Sequence, residues 1–214
     1  LSDATAKHCI QVLRMRKGDK LMATNGKGLQ ATAILQEVTK KQAFACIEES
    51  TQISPKSTHR CIAISPLKNS SRMEWFVEKA TEMGIEKIQL LQCSRTEKQQ
   101  VRLDRLQQIA ISAILQSKQF YLPELLSPIT FSHFIESANY ANQLIAHCNE
   151  GEKKPLNTLG NLNNACLLIG PEGDFTADEV SLALNTGFTA VSLGNTRLRT
   201  ETAGIVGATL LVNS

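Results

Sequence analysis

An α/β architecture, a mostly parallel sheet preceded by a small β-rich unit, is what the 214-residue sequence predicts. Three observations carry this. Short extended segments and turns fill residues 1–55, whereas from residue 56 onward short apolar runs alternate with amphipathic stretches. That alternation is the pattern of parallel strands joined by helical crossovers and covered on both faces. Between them, Ser54-Pro55-Lys56-Ser57 is polar and turn-forming, which divides the chain into units 1–55 and 56–214.

In the first unit, Lys20 to Thr24, Gln30 to Leu35 and Gln42 to Glu48 are short extended segments. Asn25-Gly-Lys-Gly28 turns the chain between the first two, because Asn and Gly tolerate positive φ. Cys61 to Ile64 opens the second unit as a buried strand. Ser71-Arg-Met-Glu74 fits a capping box, and Trp75, Phe76, Ala80 and Met83 form the apolar stripe of a helix stopped by Gly84. Lys87 to Leu91 is the next strand. Val101 to Gln116 is a helix with Leu103, Leu106, Ile109, Ala110, Ala113 and Ile114 inward. Leu144 to His147, Ala165 to Ile169 and Ala190 to Leu193 are three further strands. Thr176-Ala-Asp-Glu179 is a second capping box, and a last helix runs from about Glu201 to Val212.

Composition narrows the function. Hydrophobic residues at 42% and charged residues at 20% provide a core and a solvated surface, which excludes wholesale disorder and fibrous repeats. The longest apolar run, Gly204 to Val212, is about half a membrane span, and no basic start leads into an apolar run as in a signal peptide. The chain opens on Leu1 rather than Met, so a further N-terminal segment is expected. The six cysteines form no CxxC. Cys46, Cys61 and Cys166 read as small core hydrophobes, and a reducing cytoplasm is expected. Neither the cysteines nor the four histidines have metal-ligand spacing.

The net charge of +3 conceals an asymmetry. Residues 1–120 carry 19 Lys and Arg against 11 Asp and Glu, while residues 121–214 carry 4 against 9. A basic front half suits a polyanion, and two ordinary solvated surfaces account for the same numbers. Aromatics at 5% are too few for a stacking platform that reads single-stranded bases.

Ligands in parallel sheets bind beyond the carboxyl ends of the strands. Three such ends stand in the last third of the chain: His147-Cys-Asn-Glu-Gly151, Leu168 to Phe175, and Leu193 to Ala203. Their glycines allow close backbone approach to a ligand, although ordinary strand-to-helix turns use the same residues. No GxGxxG, Walker A lysine, GxSxG or HExxH occurs. Arg197 and Arg199, two of four basic residues after position 120, stand in the last of these loops beside Glu201 and point to anion or substrate binding.

Ile169-Gly-Pro-Glu-Gly-Asp-Phe-Thr176, followed by Ser192-Leu-Gly-Asn-Thr-Arg-Leu-Arg-Thr-Glu-Thr-Ala203, closely resembles the paired C-terminal motifs of the RsmE family, 16S rRNA uridine-N3 methyltransferases of the SPOUT class. Glu78-Lys-Ala-Thr-Glu-Met-Gly84, Gln116-Ser117 with Pro123, and His8 to Asp19 support it. The resemblance spans nearly the whole chain. It implies a SPOUT-type sheet with a C-terminal deep trefoil knot, a rare exception to unthreaded topology, preceded by a PUA-like RNA-binding β-barrel domain over residues 1–55. It also implies S-adenosylmethionine as cofactor, a homodimer with active sites at the interface, and 16S rRNA of the small subunit as partner, with no membrane or DNA partner.

Carried over by position, the resemblance assigns cofactor binding to Leu168, Ile169, Gly170, Glu172 and Gly173, and to Leu193, Gly194, Asn195, Leu198, Thr200, Thr202 and Ala203. Cys148 joins them from the third wall. Two segments depart from the family pattern. Lys118-Gln119 stands where Gly-Arg is usual, and Cys93-Ser-Arg-Thr96 where Ser-Glu-Arg-Ser is usual; both are expected to face RNA or the cofactor cleft. For catalysis, Arg199, with Arg197 secondary, is expected to stabilise charge on the uracil carbonyls. Glu201 is expected to orient Arg199 or to complement a helix N-terminus. Glu172 is a weaker proton acceptor, and no histidine is placed as base. Arg14, Arg16, Lys68, Arg72, Arg95 and Lys98 are expected to grip RNA. The rival readings are a non-catalytic RNA-binding or ribosome-assembly factor, and a methyltransferase of the same class acting on another RNA.

Overall fold

A computed structural model describes residues 1, 3–39, 42–97 and 100–214. Leu1–Pro55 and Lys56–Ser214 form two separate units. In the first, a short helix α1 (Asp3–Lys7) continues into a wide helical turn over His8–Val12. The sequence reading had only strands and turns here. Strands β1 (Lys20–Thr24), β2 (Leu29–Val38) and β3 (Ala43–Gln52) then form an antiparallel sheet in the order β1-β2-β3. The β1–β2 turn is held by Asn25 Oδ1, which accepts from the Lys27 and Leu29 amides. Along β2 every second residue, Ala31, Ala33 and Leu35, is buried, the period of a strand covered on one face. Cys46, expected in the core, is exposed. It lies on β3, whose residues beyond Ala43 are mostly open to solvent.

The second unit is a seven-stranded sheet whose observed pairings are all parallel. Its elements are β4 (His59–Ile64), α2 (Ser70–Met83), β5 (Lys87–Gln92), α3 (Leu103–Gln116), β6 (Glu124–Thr130), α4 (Phe131–Ser137), β7 (Asn142–Ala146), β8 (Lys154–Pro155), β9 (Asn164–Ile169), α5 (Ala177–Asn185), β10 (Thr189–Ser192) and α6 (Thr200–Val212). The strand order is β6-β5-β4-β9-β7-β10-β8. The chain walks outward from β4 to β6, crosses back to β7, and inserts β9 between β4 and β7. Strand order therefore reverses beside β9, where open α/β sheets form ligand crevices. Both faces are covered. Ile62 and Ile64 of β4 pack in one layer with Phe76, Val77, Ala208 and Leu211, while Cys61 and Ala63 pack in the other with Phe131, Phe175 and Val180.

Helix α2 begins two residues earlier than the expected box, which has Ser71 as the cap. Asn69 is the cap, its Oδ1 accepting from the Ser71 and Arg72 amides. Asn caps as well as Ser, and Glu74 is thereby free to pair with Arg105 across to α3 at 3.1 Å. The buried stripe is Met73, Phe76, Val77, Ala80 and Thr81, a strict i, i+3, i+4 pattern that leaves Trp75 43% exposed. The Thr176–Glu179 capping box of α5 is formed as expected. Strand β6 went unseen in the sequence because Pro128 interrupts it. An edge strand tolerates proline, and here the register shifts while Gln89 Nε2 donates to Ser127 O.

Gln119 of the Lys118-Gln119 departure has a structural role. Gln119 Nε2 donates to Thr81 O and Glu82 O, the terminal carbonyls of α2, beside the left-handed Gly84. Lys118 sits at φ 54°, a region unfavourable to a side chain with a Cβ. Lys118→Gly is therefore expected to stabilise the fold by about 0.5–1 kcal/mol, a rise of roughly 1–3 °C in Tm by thermal unfolding. An unchanged or lower Tm would count against strain at this position.

Candidate active site

Three strand ends on one side of the β9 switch, those of β7, β9 and β10, line a cleft of about 870 Å³ with the first turns of α2 and α6. The loop after β9 is braced from every side. A Cβ on Gly170 would lie 3.1 Å from the ring of fully buried Phe175 and from its backbone nitrogen, a tight contact that glycine avoids. Asp174, at φ 62°, accepts from its neighbour Phe175 N and from Cys148 N at 2.7 Å, joining this loop to the end of β7. Glu172 Oε1 accepts from the Lys68 amide at 2.9 Å, joining it to the end of β4. Arg95 Nη1 donates to Gly173 O at 2.7 Å, and Ser94 N donates to Glu179 at the start of α5. The Cys93–Thr96 segment thus serves as a brace for the glycine loop, with Thr96 Oγ1 accepting from Cys93 N and bonded to Ser65 Oγ.

The opposite wall carries the charge. Arg199 is the N-cap of α6 and makes no side-chain capping bond. Arg197 and Arg199 are exposed and line the cleft. Glu201 does not hold Arg199, as the sequence suggested. Its Oε1 lies 3.4 Å from Arg72 Nε, because α2 packs against α6 and their first turns come together. Arg72, expected to grip RNA, therefore belongs to the cleft. Glu201 is 7% exposed, and its Oε2 is buried with no hydrogen-bond partner.

His147 was not singled out from the sequence. It lines the cleft at the end of β7, and both ring nitrogens are buried without a partner. Burial, aided by nearby Lys153 and opposed by Asp174 and the Asn149 backbone, holds its pKa below the usual histidine value and so favours the neutral ring. Its place immediately after a strand is the one sequence signal it carries.

A braced glycine loop facing a row of arginines is an arrangement that comparison can place. Residues 54–212 match the RNA methyltransferase domain and residues 1–48 the RNA methyltransferase PUA domain. The ribosomal RNA small subunit methyltransferase E of Synechocystis is 33% identical over 217 residues, covering 96% of this chain and 70% of that protein. The chain belongs to the ribosomal RNA small subunit methyltransferase E family. The crystal structure of a probable rRNA methyltransferase from Porphyromonas gingivalis superposes with a TM-score of 0.90 at 37% identity, covering 97% of this chain and 90% of that one. A family member from Neisseria gonorrhoeae, bound to S-adenosylmethionine, gives 0.86 at 30% identity, covering 97% and 88%.

In this member of the methyltransferase E family, most of the expected cofactor residues do line the cleft. Cys148, Ile169, Gly170 and Glu172 come from two walls, and Leu193, Gly194, Asn195, Leu198, Thr200 and Ala203 from the third. Leu168 does not; it is fully buried and faces the Phe175 layer, since alternate strand residues point to opposite faces. Gly173 and Thr202 lie outside the lining, Gly173 with its carbonyl turned to Arg95. Among residues expected to hold RNA, Lys68 pairs with Glu97 on an exposed surface, and Arg14 and Arg16 are exposed in the first unit. Lys98 lies outside the described residues.

Proposed function

We propose that this chain transfers a methyl group from S-adenosylmethionine to N3 of a specific uridine in 16S rRNA of the small ribosomal subunit. The observation that carries this is the cleft at three strand ends in a chain of this family, walled by backbone loops and flanked by Arg72, Arg197 and Arg199. Its volume of about 870 Å³ is of the size that holds a cofactor, and the unpartnered nitrogens of His147 offer bonds to a polar ligand there. Residues 169–172 and 193–201, with Ala203 and Cys148, are the cofactor walls. When bound, the cofactor supplies an electrophilic methyl group.

The protein's own contribution follows from uracil chemistry. N3 carries a proton and its electron pair is delocalised, so it attacks only as charge moves onto the carbonyl oxygens. Arg199, with Arg197 secondary, donates to those oxygens and stabilises that charge. Holding N3 in line with the methyl carbon is the other requirement. The reading extends to the whole chain: a PUA-like first unit that binds RNA, a deep trefoil knot formed around the β9 insertion, and a homodimer. In support of the last, α6 is apolar over most of its length beyond its first turn, and Ile205, Val206 and Leu210 are only partly buried, as a face awaiting a second copy would be. The cytoplasm is its place; among the described residues no helix is long and apolar enough to cross a membrane.

Labelled cofactor offered with small subunits, naked 16S rRNA and transfer RNA, followed by nucleoside mass spectrometry, tests the reading. 3-Methyluridine in 16S rRNA is expected, and its absence from every substrate sinks the proposal. RNA binding by the exposed cations is expected to weaken with salt. With about four phosphates contacted, affinity falls roughly 50- to 150-fold between 50 and 200 mM salt, measurable by fluorescence anisotropy. A salt-insensitive, folded protein would exclude the basic surface as the RNA grip.

A further inference from the structure

We infer that Glu201, steadied by Arg72, is the group that selects uracil over cytosine and takes the N3 proton; the inference rests on the uridine-N3 reaction proposed above. Glu201 is 7% exposed in the first turn of the 13-residue helix α6 and lines the cleft. Arg72 occupies one of its oxygens, at 3.4 Å from Nε, while Oε2 is buried with nothing bound to it. A carboxylate oxygen out of water and short of a hydrogen bond is costly, and a donor brought by a ligand relieves it.

The other acidic groups of the cleft are already engaged. Glu172 accepts from Lys68 N, and both oxygens of Asp174 accept backbone amides. The remaining charged or titratable groups that line the cleft with Glu201 are Arg72 from α2, Arg197 and Arg199 from the loop after β10, and His147, Cys148 and Lys153 beyond β7. Burial holds the His147 pKa down, away from the alkaline range.

The edge of uracil that carries N3 presents an N–H donor between two carbonyl acceptors. A carboxylate with a guanidinium against it, and Arg199 two residues earlier on the same wall, presents the complement: an acceptor flanked by donors. Cytosine has a lone pair at N3, which a carboxylate repels. In the step itself the N3–H bond breaks toward Glu201 Oε2 as the N3–carbon bond forms. The carbon–sulfur bond breaks with its electron pair remaining on sulfur, and the proton passes from Glu201 to solvent after product leaves. Arg72 is a positioning residue in this scheme.

Glu201→Gln tests it. Single-turnover formation of 3-methyluridine is expected to fall about 10²- to 10⁴-fold, with S-adenosylmethionine affinity by calorimetry within a few-fold of wild type. The wild-type rate is expected to be flat between pH 7 and 9, whereas the variant, limited to uracil already ionised in solution, gains about tenfold per pH unit. Without cofactor, wild type is expected to bind an RNA carrying the target uridine at least about tenfold better than one carrying cytidine there, and the variant to lose that preference. A variant within threefold of wild type, with the same pH profile and the same base preference, overturns the inference. Should Glu201→Gln not fold by circular dichroism, Glu201→Asp decides. A slower rate with a flat pH profile supports Glu201 as acceptor, and a rising profile excludes it. If wild type makes no 3-methyluridine, the reaction is misread, and the cofactor-free base preference still decides the role of Glu201.

Discussion

Arg199→Ala is expected to lower methyl transfer by about 10²- to 10³-fold while leaving S-adenosylmethionine affinity within a few-fold. The guanidinium lines the cleft, and Arg199 caps α6 through its backbone alone, so truncation removes no structural capping bond. The loss should therefore fall on kcat, because charge on the uracil oxygens is greatest in the transition state. Arg199→Lys keeps the charge but not the planar fork, and is expected to recover a small part of the rate. Single-turnover kinetics with calorimetry on the same protein separates the cases. Equal loss of rate and of cofactor affinity would make Arg199 a cofactor-binding residue instead.

Gly204→Val is expected to destabilise the protein by about 3 kcal/mol, which for a chain of this length is a fall of roughly 6–12 °C in Tm. Glycine in mid-helix ordinarily costs about 1 kcal/mol relative to alanine, so its presence in α6 calls for a steric reason. A Cβ there would stand 2.6 Å from Phe76 Cε2 and 3.1 Å from Ile64 Cδ1, both in fully buried residues. Gly207, one turn later, lies as closely against Leu167. The two glycines let α6 settle onto α2 and the β4–β9 floor, and that contact brings Glu201 to Arg72. Gly204→Ala gains helix propensity against the clash and is expected to lose about 1 kcal/mol net. Gly160→Ala, where a Cβ meets nothing within 4 Å, serves as the control and should leave Tm unchanged. A Gly204→Val variant with wild-type Tm would show that the helices can separate freely.

Strands β4, β5, β7, β9 and β10 were legible because residues buried on both faces appear as apolar runs, as in Cys61 to Ile64 and Ala165 to Ile169. Helix α5 was legible because its capping box is entirely local. The failures share a different cause. Strand β6 contains Pro128, acceptable only because the strand lies at the sheet edge. Ser71 and Asn69 are equally good caps by residue type, and it is Asn69 whose side chain takes the Ser71 and Arg72 amides. Gln119 resembled a substrate-facing residue until α2 supplied carbonyls for it to cap.

The same division holds in the cleft. The glycine loops, Arg197 and Arg199 are contiguous in the chain, so sequence alone determined the family, the loops and the charge they carry. The partner of Glu201, the bracing role of Arg95 and the orphaned ring of His147 were decided by tertiary structure. Local patterning records which face of a helix or strand is apolar. It carries no record of which distant element covers that face, and here the insertion of β9 and the seating of α6 on α2 make that choice.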